Sequence, residues 1–193
     1  MSHVWYVSYG SNMSSTRLGC YLEGGRPPGG SRSHPGARDA TPPLRSIPVD
    51  LPGTVYFAGE SRQWGGGVAF YDHDTPGWTA ARGYLVTAEQ FADIAAQEMH
   101  RVPEEGDPLE QVVLEPLDGG RHTAGPGRYE TLVDVGTHEG LPLLTFTSPH
   151  GADAVEHNDP APAYLATIRE GLRESRRWDE ARIEEYVDAV TPG

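Results

Sequence analysis

Val4-Trp5-Tyr6-Val7-Ser8-Tyr9-Gly10-Ser11-Asn12-Met13 is an apolar, aromatic run of strand type that breaks at Gly10 into small polar residues. A strand that ends in a tight turn can aim successive backbone N–H groups at one point. Such donors suit an anion, or an oxyanion that forms only in a transition state, because the fold fixes them and they need no reorganisation. Tyr9 to Met13 is therefore a candidate site. Gly, Ser and Asn also favour turns for local backbone reasons, so the segment alone reads as an ordinary strand end too.

Outward from this stretch, further short apolar runs occur at Thr54 to Ala58, Gly67 to Tyr71, Ala80 to Val86, Gln111 to Leu117, Thr131 to Val135 and Leu141 to Thr147, separated by Gly, Pro and Asp clusters. They predict a sheet-rich core. Helical spacing appears after Thr87, which forms a capping-box pattern with Gln90 and precedes Phe91, Ile94, Ala95 and Val102. Asp159-Pro160 opens a second helical stretch carrying Tyr164, Ile168 and Leu172, and a third holds Ile183, Tyr186, Val187 and Val190. Strands first and helices last predict an α+β domain rather than a doubly wound sheet.

Helical arithmetic selects Glu98. Positions 91, 94, 95, 98 and 102 share one face, so a carboxylate lies in an apolar stripe. Desolvation there would raise its pKa toward neutrality, where a carboxyl group both accepts and returns a proton. The alternatives are a helix that frays before residue 98, or a Glu98–Arg101 pair at i,i+3 spacing.

The 193 residues fit one domain, 1–193, large enough to bury a core without staples. A lone cysteine, Cys20, excludes an internal disulfide and argues against a Cys-rich zinc site. The segment after Met1 shows no signal core, and no run approaches a membrane span, which predicts a soluble, unsecreted, cytoplasmic protein. Net charge is −13, with 28 acidic residues against 15 basic ones, all arginine, so nucleic acid and anionic membrane are poor partners. Oligomeric state cannot be read from the sequence.

Residues 23–45 form a Gly/Pro-rich segment with Arg26, Arg32, Arg38 and Arg45, too long for a simple connection. It reads either as a solvated surface loop or as a lid presenting guanidinium groups to carboxylates. Asp72-His73-Asp74 and His157-Asn158-Asp159 have metal-ligand residue types without the spacing that surrounds an ion, so no metal is expected. Ser11 sits in no nucleophile elbow and has no dedicated histidine.

Tyr9-Gly10-Ser11-Asn12-Met13 after a strand resembles the signature loop of the gamma-glutamylcyclotransferase-like family. Trp64-Gly65-Gly66-Gly67-Val68-Ala69 resembles the family's Trp-x-Gly-Gly stretch, and Gln97-Glu98 resembles the pair whose glutamate is its acid/base. Pro160-Ala161-Pro162-Ala163-Tyr164 resembles the segment that opens a late helix and brings a tyrosine to the pocket. The resemblance spans residues 4 to about 172 and singles out the same Glu98 as the helix phase.

It implies a small mixed β-barrel with surrounding helices, and cleavage of a gamma-glutamyl amide to 5-oxoproline and a free amine without cofactor or metal. Glu98 would be the catalytic acid/base, with Tyr9, Gly10, Ser11, Asn12, Met13 and Tyr164 binding a small-molecule gamma-glutamyl substrate. An amidohydrolase acting on a gamma-glutamyl or acyl amide and a non-catalytic small-molecule binder are the alternatives. Residues 23–45 and 103–127 depart from the family's better-studied members, which leaves the leaving amine open.

Overall fold

The computed structural model describes residues 2–191. In chain order the elements are β1 (His3–Ser8), α1 (Ser15–Leu22), β2 (Arg45–Pro52), β3 (Thr54–Ala58), β4 (Val68–Asp72), β5 (Trp78–Thr87), α2 (Ala88–Glu98), α3 (Leu109–Val112), β6 (Arg121–Thr123), β7 (Thr131–His138), β8 (Leu141–Thr147), α4 (Pro162–Arg176) and α5 (Glu180–Val190). Strands and helices are mixed as an α+β fold requires. Six strands form one sheet in the order β2-β5-β1-β8-β7-β6, and β3-β4 form a separate hairpin. The β1–β8 pairing is parallel and the others are antiparallel.

β1 is central and buried on both faces, which explains its nearly unbroken apolar run. Alternation sends Trp5 and Val7 into a core shared with α4 and α5, where Ile168, Leu172, Ile183 and Val187 pack. Val4 and Tyr6 enter the opposite core, where Phe91, Ile94 and Ala95 of α2 meet Leu18 and Leu22 of α1.

The strands do not close into the barrel that the resemblance implies. Among the described residues the hairpin β3-β4 has no ladder to the main sheet, because side-chain oxygens occupy the outer edge of β4. The Ala69 N–H donates to Tyr164 Oη at 3.3 Å, and Tyr129 Oη donates to the Ala69 carbonyl at 2.8 Å. Two residues on, Thr147 Oγ1 accepts the Tyr71 N–H at 2.9 Å and donates to the Tyr71 carbonyl at 2.8 Å. Backbone groups that a neighbouring strand would satisfy are thereby satisfied by hydroxyls, and the sheets stay separate.

Residues 111–117 form no strand. Asp107 accepts the Leu109 N–H at 2.9 Å and opens α3, and Leu109 and Val113, one turn apart, are buried against the α2 core. β2 was not anticipated, since Pro48 and Pro52 interrupt its pattern. It is an edge strand, where missing N–H donors are tolerated.

Candidate functional site

Four segments converge on a cavity of about 320 Å³. The first is the turn after β1. Residues Ser11–Met13 form one tight helical turn, closed by bonds from the Met13 N–H to the Gly10 carbonyl and from the Ser14 N–H to the Ser11 carbonyl, both 3.1 Å. The amides of Ser11 and Asn12 precede these first closed bonds, as at any helical start. Gly10 packs closely, since a Cβ there would stand 3.2 Å from Tyr164 Oη and 3.4 Å from the Ala69 Cβ.

The second segment is α1, capped by the Ser14 side chain, which accepts from the Arg17 N–H. It brings Arg17 and Tyr21, one turn apart, to the cavity wall. The third is α2. Its Thr87–Gln90 capping box forms as the sequence predicts, and the helix ends at Glu98. His100 then takes a left-handed conformation (φ 58°), while the Arg101 N–H turns back to the Ala96 carbonyl. Val102 consequently lies outside the helix and is 67% exposed, so it does not extend the apolar stripe. Arg101 pairs with Asp107 at 3.0 Å, whereas Glu98 makes a different contact.

The fourth segment is the start of α4, which carries Tyr164. Gly66 and Gly67 let it approach, since a Cβ on Gly67 would fall 2.0 Å from the Asn158 carbonyl oxygen and one on Gly66 2.4 Å from that of Asp159. The Gly67 N–H donates to the Asp159 carbonyl at 2.8 Å. The Trp-Gly-Gly-Gly stretch is thus a crossing point that locks the segment leading into α4.

Inside the cavity, Asn12 Nδ2 donates to Glu98 Oε1 at 2.9 Å and contacts Tyr6 Oη at 3.0 Å. Only the amide NH2 can donate to a carboxylate, which fixes the Asn12 orientation. Its Oδ1 is left buried with no partner. Phenols surround this pair. Tyr6, Tyr21 and Tyr164 are buried, burial raises the pKa of each, and the Glu98 charge raises them further. For Tyr164, moderated by the Ala69 N–H, the value is pushed up to about 12. These phenols stay protonated at neutral pH.

Arg17 completes the inner wall. Only 4% exposed, it donates to Tyr21 Oη at 2.8 Å and to His34 Nε2 at 2.9 Å, and its guanidinium lies 4.4 Å from the Tyr21 ring centre. Burial, with Arg17 next, lowers the His34 pKa to about 4, so the imidazole is neutral and can accept. No carboxylate lies within ion-pair distance of Arg17 among the described residues, and its Nε–H is buried without an acceptor. Burial disfavours the Arg17 charge, but Tyr21 and the Glu98 carboxylate of the same cavity outweigh it and its pKa is raised, so the guanidinium stays charged at the wall.

Of the residues expected from the sequence, Tyr9, Gly10, Ser11, Asn12, Glu98 and Tyr164 all line this cavity. Tyr9 donates its hydroxyl to the Phe146 carbonyl at 2.9 Å. Met13 does not line it, which corrects that expectation. The tight turn carries Met13 round into the core beneath α4, fully buried, with its carbonyl accepting from Arg82 Nη1 and Tyr84 Oη, both at 2.8 Å.

Arg17, Tyr21 and His34 were missed. The signal existed: Ser14 before Leu18, Tyr21 and Leu22 reads as a capped apolar stripe, and it places Arg17 and Tyr21 on adjacent turns of one face. Asp72 and His157 have structural roles. Asp72 accepts from the backbone N–H groups of Asp74, Thr75 and Ala152, and His157 Nε2 lies 3.1 Å from the Ala152 carbonyl. Among the described residues no cluster of three His, Cys, Asp or Glu side chains could hold a metal ion.

Arg26 enters no ion pair among the described residues. Arg38 of the 23–45 segment pairs with Asp93 and Glu110, and Arg45 with Glu139; only Arg32 of that segment's arginines lines the cavity.

No family model matches the sequence. Among curated proteins, the chain is 32% identical over 199 residues to histone deacetylase 5 of Arabidopsis thaliana, a match that takes in 96% of this chain and 30% of that protein. The chain thus spans about a third of that relative. Among solved structures it superposes on a gamma-glutamyl cyclotransferase with a TM-score of 0.58 at 16% identity, over 100% of this chain and 90% of that one. An uncharacterized human protein matches with the same figures. YkqA of Bacillus subtilis matches with a TM-score of 0.53 at 16% identity, over 100% of this chain and 57% of that one. The chain has the gamma-glutamyl cyclotransferase-like fold. No helix among the described residues is long and apolar enough to cross a membrane.

Proposed function

We propose that this chain is a gamma-glutamyl amide cyclotransferase that releases 5-oxoproline and a free amine. The observation that carries the reading is the Asn12–Glu98 pair in a cavity whose wall also holds the unpaired Arg17. An α-amino-acid head group complements the charges of this set: its nitrogen suits the Glu98 carboxylate, and its carboxylate suits the Arg17 guanidinium.

In this reading Glu98 takes a proton from the substrate's α-amino group. The freed nitrogen attacks the γ-carbonyl carbon, a five-membered ring closes, and the bond from that carbon to the departing nitrogen breaks. Glu98 returns the proton to the leaving amine. No water is consumed, because the substrate supplies its own nucleophile. The cavity contributes by holding the chain in a near-attack geometry. The amides of Ser11 and Asn12 stabilise the developing oxyanion, and Tyr164, whose hydroxyl lies beside the same turn, orients the substrate.

Ser11 is a poor nucleophile here, since the hydroxyl group it meets is that of Tyr164, a phenol with its pKa pushed up to about 12 and so no base at neutral pH. The deacetylase activity named for the Arabidopsis relative belongs to a protein about three times the length of the matched stretch and is not transferred here.

The test is product identity. Purified protein is incubated with a panel of gamma-glutamyl amides beside Glu98→Gln, and 5-oxoproline and glutamate are followed by mass spectrometry. The expected result is 5-oxoproline from the unmodified protein and a loss on the order of 10²–10⁴ in rate for Glu98→Gln with the fold intact. Free glutamate as the product, or unimpaired turnover in the variant, refutes the reading.

A further inference from the structure

Behind the turn that follows β1, a guanidinium grips the backbone. Arg82 of β5 stands opposite Ser8, the last residue of β1, and its side chain is only 12% exposed. Its Nη1 donates to the Met13 carbonyl at 2.8 Å and to Glu174 Oε2 at 2.6 Å, and its Nη2 donates to Ser46 Oγ at 3.1 Å. Tyr84 shares a face of β5 with Arg82, since side chains two apart on a strand point the same way. Its hydroxyl is a second donor to the Met13 carbonyl, at 2.8 Å, and its ring centre lies 4.8 Å from the Arg82 guanidinium. None of Arg82, Tyr84 and Glu174 lines the cavity.

Glu174 ties this grip to α4. Its Oε2 also accepts the Ser15 N–H at 3.0 Å, and Glu170, one turn earlier, accepts from Ser14 Oγ at 3.0 Å. Tyr164 stands on the same helix, with its hydroxyl beside Gly10. One ion pair therefore joins β5, the turn that carries Ser11 and Asn12, and the helix that carries Tyr164.

Stability alone does not account for the junction. Arg82 Nε is buried without an acceptor, and a buried charge pair is often no more stabilising than apolar residues of the same volume. What the pair supplies is direction: two donors converge on one carbonyl. The Met13 N–H is itself bonded to the Gly10 carbonyl at 3.1 Å, so a shift at Met13 is passed to the peptides between them.

We propose that Arg82, held by Glu174, is a positioning residue for the reaction. By fixing the Met13 carbonyl it sets the place of the Ser11 and Asn12 amides, and of the Asn12 side chain against Glu98. The inference rests on the cyclotransferase reading and adds to its machinery a residue outside the cavity. Groups that meet developing charge act in the transition state, so a displaced turn lowers kcat and leaves KM nearly unchanged.

The experiment compares Arg82→Met, Arg82→Lys and Glu174→Gln with the unmodified protein. Steady-state kinetics use the gamma-glutamyl amide that the unmodified protein turns over best, and NMR without ligand follows amide hydrogen exchange at Met13 and Ser14. Arg82→Met removes the donors at similar volume, Arg82→Lys keeps one charged donor, and Glu174→Gln keeps an acceptor for Ser15 without the ion pair. In Arg82→Met, kcat is expected to fall about 10- to 100-fold with KM within about 3-fold of wild type. Arg82→Lys is expected to recover kcat to within about 5-fold of wild type, with Glu174→Gln between the two. Exchange at Met13 and Ser14 is expected to quicken about 10-fold in Arg82→Met, with the core amides of α2 unchanged. Should Arg82→Met loosen α2 as well, Glu174→Gln is the variant read, with the same signs.

Wild-type turnover in Arg82→Met, a loss carried by KM alone, or a Lys variant as impaired as Met overturns the inference and leaves the cyclotransferase reading standing. If the unmodified protein turns over no gamma-glutamyl amide, the reaction fails and exchange decides: quickening confined to the turn retains Arg82 as the residue that sets it, and unchanged exchange removes it.

Discussion

Asn12 and Glu98, 86 positions apart, meet at 2.9 Å, so the turn after β1 and the end of α2 share a hydrogen bond inside the cavity. Asn12 is 3% exposed and its NH2 also faces Tyr6 Oη, which leaves it little freedom. It is a positioning residue for the carboxylate. Asn12→Ala is expected to lower kcat/KM about 10- to 100-fold, the range seen when a partner orienting a functional ligand is removed. Asn12→Asp is expected to be worse than Ala despite its near-identical shape, because it sets a second carboxylate against the first. Steady-state kinetics on both variants separate charge from volume, and an Asp variant as active as wild type would remove Asn12 from the role.

Arg17 offers a test with an unusual sign. Loss of its bonds to Tyr21 Oη and His34 Nε2 costs about 1 kcal/mol each. Relieving the desolvation of a buried cation that makes no direct ion pair returns about as much. Arg17→Met is therefore expected to leave the melting temperature within a few degrees of wild type, while binding of any gamma-glutamyl ligand weakens by 100-fold or more. A collapse in stability with binding retained would make Arg17 structural instead.

Glu98 was legible because helix phase and the Gln97-Glu98 resemblance select the same residue, and α2 reaches it behind a good capping box; the apolar stripe itself stops there, with Glu98 half-buried and Val102 exposed. Tyr9 to Asn12 were legible only with the resemblance, because a strand that stops at glycine and small polar residues reads equally as an ordinary turn. Met13 was misplaced because a sequence gives no sense of rotation within a turn, and one step of tight helix moves a side chain from cavity to core. Arg17 was overlooked because α1 is only eight residues long and an arginine in an uncertain helix passes for a surface charge. The open sheet depends on hydroxyl contacts of Tyr129, Tyr164 and Thr147, which no periodicity encodes.

His34 connects stability to pH. Its pKa falls from 6.5 to about 4 through burial and the adjacent Arg17, so the folded protein binds fewer protons there than the unfolded chain. Stability from this residue is complete above pH 6.5 and is lost as pH falls from 6.5 toward 4. Protonation would also remove the acceptor for Arg17. In His34→Gln, whose carbonyl can still accept, the melting temperature is expected to decline less steeply over that window than in wild type. Thermal melts at half-unit pH steps measure it, and superimposable pH profiles would exclude the linkage.

Gly171 shows how α4 holds the candidate site from behind. A Cβ there would fall 2.4 Å from Met13 Cβ and 2.6 Å from the Ser14 backbone nitrogen, so helix and turn touch with no room for a methyl group. Gly171→Ala must displace the turn that carries Ser11 and Asn12, and it is expected to cost about 1–3 kcal/mol of stability together with most of the activity. Gly19, inside α1 with nothing within 4 Å of the corresponding position, is the matched control. Gly19→Ala is expected to stabilise the protein by up to about 1 kcal/mol through helix propensity alone, with activity unchanged. Urea denaturation of both variants, with kinetics alongside, tests the contrast. Equal tolerance at the two positions would mean that α4 does not set the geometry of the turn.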